Sequence, residues 1–205
     1  MPRVHVLDLD FADETTTGIA TGLTGAGPFT TFTASGPTDG IAHQLSLTSA
    51  ANISAITLTL VGTDADGIAQ TEAVTGPNAT TVETTGYFLT LTSITASSTL
   101  GANTMDVGWV DEISSRTIPL NRHSEAAARG HIDVTGTCTF SVQYTMVPFN
   151  DVFNIWPKTW VAGTPNGGTA DTAATAVVGA TGIRVVTNSY SSGAELQLFY
   201  NEVDT

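Results

Sequence analysis

Apolar and polar residues alternate with a period of two in run after run of this chain, the pattern of half-buried strands. The best defined case is Ile56 to Val61 and Ile68 to Val74, on either side of Thr63-Asp64-Ala65-Asp66-Gly67. The Asp-Gly step supplies the positive φ that a tight connection between twisted strands requires, so a β-hairpin with Gly67 in its turn is expected. A second turn signal, Gly76-Pro77-Asn78, leads into Thr81 to Thr84 and Tyr87 to Ala96, extending the hairpin into a meander with no helical stretch.

The flanking sequence reads in the same way. Val4 to Asp10 alternates like an edge strand or an extended arm, followed by a Gly- and Thr-rich loop from Ala12 to Pro28. Phe29 to Thr33 and Gln44 to Thr48 read as strands separated by Gly36-Pro37-Thr38-Asp39-Gly40. The polar run Asp111 to Arg116 is the expected domain boundary. Beyond it, Thr117 to Leu120, His131 to Val134, Thr139 to Met146, Ile183 to Thr187 and Glu195 to Tyr200 form a second strand set, with Gly136 at a turn. Glu125 and Arg129 are spaced for one helical turn, and Gly163 to Gly168 reads as a flexible loop. The expectation is an all-β protein of two small β-sandwich or jelly-roll-like domains, joined by a short polar linker and preceded by an extended N-terminal arm. The arm and loop would take residues 1–28, the first β-domain 29–110 and the second 111–205.

Composition narrows the class further. Six Lys+Arg stand against 19 Asp+Glu, a net charge of −13, and Lys158 is the only lysine. Such a surface repels phosphate backbones, so no nucleic-acid partner is expected. With 12% charged and 41% hydrophobic residues the chain is not of disordered composition. Threonine makes up about a fifth of it, and a β-branched residue at home on a pleated sheet fits the all-β reading. Cys138 is the only cysteine, which rules out an intrachain disulfide; within Gly136-Thr137-Cys138-Thr139-Phe140 it reads as a small strand hydrophobe. Met1 to Asp10 lacks the apolar core of a secretion signal, and no run is long enough to cross a bilayer. Synthesis in the cytoplasm and no membrane partner are expected.

Candidate chemistry is sparse. Asp64, Asp66 and Gly67 resemble the opening of a calcium loop, but Thr75 stands where that loop needs its bidentate glutamate, and a hairpin turn explains the same residues. Asp8 and Asp10 share one side of a strand, as charges on a solvated edge do. His5, His43, His123 and His131 follow no ligand spacing. No Gly-x-Ser-x-Gly elbow occurs, and the glycine-rich stretches lack the Gly-Lys-Ser/Thr ending of a phosphate cradle. No catalytic residue, cofactor or metal ligand is therefore expected. Phe149, Phe153, Trp156 and Trp160 crowd one short segment, as core or as a contact patch.

The run from Thr63-Asp64-Ala65-Asp66-Gly67 through Thr71-Glu72-Ala73-Val74-Thr75-Gly76-Pro77-Asn78-Ala79-Thr80-Thr81-Val82 to Tyr87-Phe88 resembles a small β-module that recurs in virion proteins of tailed bacteriophages. Ile118-Pro119-Leu120-Asn121-Arg122, Val134-Thr135-Gly136-Thr137, Phe140-Ser141-Val142-Gln143-Tyr144, Phe149-Asn150-Asp151-Val152-Phe153 and Ile183-Arg184-Val185 are similar to segments that accompany it. The resemblance spans most of the chain from about Leu45 onward and departs at His123 to Gly130 and Trp156 to Trp160. It implies a non-enzymatic virion structural protein. Acidic charge and size suit a capsid decoration (cement) protein on the outer face of the head, with the major capsid protein and copies of itself, as a trimer, for partners. The alternative is a tail, fibre-base or receptor-binding component. Val4, Val6, Leu7 and Leu9 on the arm, with Phe153, Trp156 and Trp160, are the candidate contact residues; the arm is expected to add to a neighbour's sheet edge.

Overall fold

The computed structural model describes residues 4–120, 129–146, 159–175 and 180–201, and every regular element in them is a strand. The chain is all-β and divides into two compact units, residues 12–113 and residues 1–11 with 114–205. Val4–Asp10 forms β1, which belongs to the second unit.

The first unit holds β2 (Thr15–Leu23), β3 (Ala42–Thr48), β4 (Thr57–Thr63), β5 (Ala69–Thr75), β6 (Thr81–Phe88), β7 (Thr90–Ala96) and most of β8 (Met105–Ser114). They make two antiparallel sheets, β2-β8-β3-β6 and β5-β4-β7. Alternation sends Leu45 and Leu47 from β3, Met105, Val107 and Trp109 from β8, Leu58 and Leu60 from β4, and Leu91 and Ile94 from β7 into one buried cluster. Two sheets that share a core in this way form a sandwich. The expected hairpin joins β4 to β5 over Asp64 to Ile68. Asp64 and Gly67 close a turn through a 3.0 Å bond from the Gly67 N–H, and Gly67 takes φ 76°. The Asp64 carboxylate accepts from Asp66 N and Ile68 N, both at 2.9 Å, so this aspartate fixes a turn. Threonine pairs lock the register across strands, Thr48 to Thr81 at 2.8 Å and Thr63 to Thr90 at 2.7 Å.

The second unit holds β1, β9 (Ile118–Pro119), β10 (Arg129–Thr135), β11 (Cys138–Thr145), β12 (Val161–Gly168), β13 (Thr172–Thr175), β14 (Gly182–Tyr190) and β15 (Glu195–Asn201). Their order is β1-β15-β10-β13-β12-β11-β14, with β9 also on β14. Ile132, Phe140, Val142, Val185, Leu196 and Leu198 are buried here, and Phe11 stacks on Tyr190 with ring centroids 4.5 Å apart.

Several elements differ from the sequence reading. In place of a free arm, β1 pairs antiparallel with β15 from Val4↔Asn201 to Asp10↔Glu195, because Leu7, Leu9 and Phe11 have apolar side chains to bury. The Gly- and Thr-rich segment expected to be a loop contains β2, and β12 occupies the Gly163 to Gly168 segment. Phe29 to Thr33 supplies only an isolated bridge, Phe29↔Ile94. The division between the units falls between Ile113 and Ser114, inside the polar run Asp111 to Arg116, but the first half of that run is strand rather than linker, since β8 continues to Ser114 and Ile113 is buried. Of the expected helical turn over Glu125 to Arg129, residues 125–128 lie outside the described residues and Arg129 opens β10.

Candidate functional site

The candidate contact residues fall in different surroundings. On β1, Val6 is 52% exposed whereas Leu7 and Leu9 are buried. Period-two geometry puts those leucines on the face opposite Val6, Asp8 and Asp10, so in this chain they are core residues of the second unit. Val4 occupies the strand opposite Asn201. Trp160 is half-buried, and the Arg184 guanidinium lies over its ring, 4.2 Å from the centroid. That guanidinium is itself fixed by Gln143 Oε1, at 2.9 Å from Nε and 2.7 Å from one terminal nitrogen, and by Ser114 Oγ at 3.2 Å. One face of the Trp160 indole is thus taken by an arginine rather than left open for stacking. Phe153 and Trp156 lie outside the described residues.

Among the described residues of the first unit, a buried polar arrangement forms that residue spacing does not announce. His43 on β3 is fully buried, with Nδ1 2.8 Å from the Val110 carbonyl and Nε2 2.8 Å from Asp39 Oδ2. Asp39 also accepts from the Ala12 N–H at 2.8 Å and the Ile41 N–H at 3.0 Å. The two imidazole nitrogens are thus held between a backbone carbonyl and the Asp39 carboxylate. Burial alone would raise the Asp39 pKa, but the bonds from His43, Ala12 and Ile41 outweigh it and hold the carboxyl below its usual range. Trp109 packs edge-on to the His43 ring at 6.2 Å and donates its Nε1–H to the Asp13 carbonyl at 3.0 Å. The signal in the sequence was an aspartate before a turn glycine, four residues ahead of a histidine at a core position of a strand.

Beside this pair opens a cleft of about 500 Å³ lined by Glu14, Thr15, Ser46, Thr81, Glu83 and Trp109. Asp111 and Glu112, next along β8, feel the charges of the lining residues Glu14 and Glu83, and both are raised from their ordinary carboxylate values. For Asp111 the causes are burial and the charges of Glu14 and Asp13, with His43 opposing; for Glu112 they are burial and Glu83. The cleft presents carboxylates and hydroxyls without a nucleophile held by a base. Among the described residues no group of three or more His, Cys, Asp or Glu is arranged to hold a metal ion. Cys138 is buried and its thiol is pushed up to about 11 by burial, the environment of an inert core thiol. No helix is long and apolar enough to cross a membrane among the described residues.

Comparison with protein-family models, with curated proteins and with solved structures gives no match for this chain.

Proposed function

We propose that this chain is a non-enzymatic structural protein of a tailed-bacteriophage virion, a decoration protein that lies on the outer face of the capsid and bridges capsomers. The observation that carries the reading is the motif run from Thr63 to Phe88, taken with what its residues do. Asp64 and Gly67 build a turn, Glu72 accepts the Thr85 and Gly86 N–H groups at 2.7 and 2.9 Å, and Pro77 accepts from Ile53. At these four positions the motif residues hold turns and strands of a β-module, which supports reading the motif as a shared structural part. A net charge of −13 favours a place away from packaged DNA.

The mechanism is contact area. Each copy buries surface across a junction between capsomers, and closed symmetry, a trimer at a local three-fold, repeats the same contact over the shell. Quantitative gel densitometry of purified particles tests the assignment. A copy number on the scale of the capsid subunits is expected; a handful of copies per particle would place the protein at the tail or portal and overturn the decoration role.

A further inference from the structure

In the second unit β12 breaks step with β11. Phe140 pairs with Gly168 and Ser141 with Asn166, so Gly167 is the extra residue of a bulge, with φ 73°. The bulge removes the Gly167 N–H from the backbone ladder and gives it to a side chain, Ser141 Oγ at 3.0 Å. The Ser141 hydroxyl donates in turn to Asn166 Oδ1, also at 3.0 Å. A chain N–H···O–H···O=C therefore closes between an asparagine's own side-chain carbonyl and the backbone nitrogen that follows it. These are the two groups that react when an asparagine cyclises. Ser141 is buried and so held in place, while Asn166 and Gly167 are exposed to water.

We propose that Ser141, Asn166 and Gly167 form a self-modification site at which Asn166 is converted, through a succinimide, to aspartate and isoaspartate. A carbonyl acceptor would only hold the amide proton; a hydroxyl accepts it on one side and delivers its own on the other. The Gly167 nitrogen bonds to Asn166 Cγ as its proton passes to Ser141 Oγ and the Ser141 proton passes to Oδ1. The neutral tetrahedral adduct then collapses: the Oδ1 proton moves to the departing nitrogen, the Cγ–Nδ2 bond breaks, the carbonyl re-forms and ammonia leaves. Water opens the ring at either carbonyl and is the only co-reactant. Glycine suits the second position because no side chain shields its nitrogen, and the relaxed register of β12 accommodates the extra main-chain methylene of the isoaspartyl product. Each event adds one carboxylate to an exposed strand.

The test follows the full-length chain at neutral pH in ¹⁸O-labelled water, with peptide mapping by mass spectrometry to read label and isoaspartate at position 166. The folded protein is compared with the same protein unfolded in guanidinium chloride. The expected result is faster conversion at Asn166 in the folded chain than in the unfolded one. Ser141→Ala is expected to slow the folded chain on the order of a hundredfold, the lower end of what a positioned proton-transfer group contributes, and Ser141→Thr, which keeps the hydroxyl, to restore most of the rate. Conversion in the folded wild-type chain no faster than in the unfolded chain would overturn the proposal, and this arm decides even if Ser141→Ala does not fold. A folded Ser141→Ala protein that converts as fast or faster would also overturn it, making Ser141 a clamp that restrains the asparagine.

Discussion

Gly67 holds φ at 76° in a place where a Cβ would meet no atom within 4 Å, so any penalty for replacing it comes from the backbone alone. Gly67→Val is expected to lose about 1–3 kcal/mol in equilibrium unfolding, and Gly67→Asn much less, since asparagine tolerates the left-handed region. Ala79 is the converse case, an alanine at φ 52°; Ala79→Gly is expected to gain roughly 0.5–1 kcal/mol in the same measurement. At His43 the issue is a buried hydrogen bond. His43→Ala removes one of three donors from the buried Asp39 carboxylate and is expected to cost about 1–3 kcal/mol. The carboxylates around this pair set the acid response of the first unit. Asp111 and Glu112, raised in the fold, favour it as pH falls through the region just above the ordinary carboxylate range. Asp39, lowered in the fold, contributes stability above its unfolded value, and that stability is lost as pH falls through the lower folded value. Unfolding midpoints taken from neutral to strongly acid pH should therefore rise slightly before they fall, and Asp111→Asn should flatten the rise.

Among the elements, β5 shows how side chains can stand in for ladder bonds. Its inward-facing Gln70 and Glu72 reach β6 in the other sheet: Gln70 Nε2 donates to the Tyr87 carbonyl at 3.1 Å, and the two oxygens of Glu72 take the Thr85 and Gly86 N–H groups. Glu72→Ala removes the acceptor of two backbone donors and is expected to cost about 1–3 kcal/mol by denaturant titration, with Glu72→Gln, which keeps one oxygen, intermediate. The sequence made β4, β5, β7 and the turn at Gly67 legible because alternation and turn chemistry agree there. Glu72 looked like any solvent-facing glutamate, since its partners lie across a sandwich that no local pattern announces. β2 was hidden by Gly18 and Gly22 and by register shifts against β8 between Thr15 and Ala20, which break the period of two. β12 was hidden by its Gly and Pro content, read as loop punctuation although bulges admit such residues. The His43–Asp39 pair was likewise invisible as a pair, because β3 buries both faces and the polar-out rule does not apply to it.

For the whole molecule, the decoration reading predicts that particles lacking this protein assemble and package DNA but release it on milder heating, while adsorption to host cells stays normal. Normal heat release with lost adsorption, measured on one preparation of a deletion mutant, would point to the tail or receptor-binding role instead. The pairing of β1 with β15 bears on a different matter, the order in which the protein can be made. The first unit is one uninterrupted run, residues 12–113, whereas the second joins residues 1–11 to 114–205. A ribosome would release every strand of the first sandwich before any partner for β1 existed, so Leu7, Leu9 and Phe11 wait, uncovered, through nearly all of translation. Non-local pairing of this kind is slow and prone to wrong partners. A nascent chain halted far enough past residue 113 for β8 to have cleared the ribosome, but before β15 is made, should already protect the first unit from protease while β1 is still cut, and full-length synthesis should show β1 acquiring protection last.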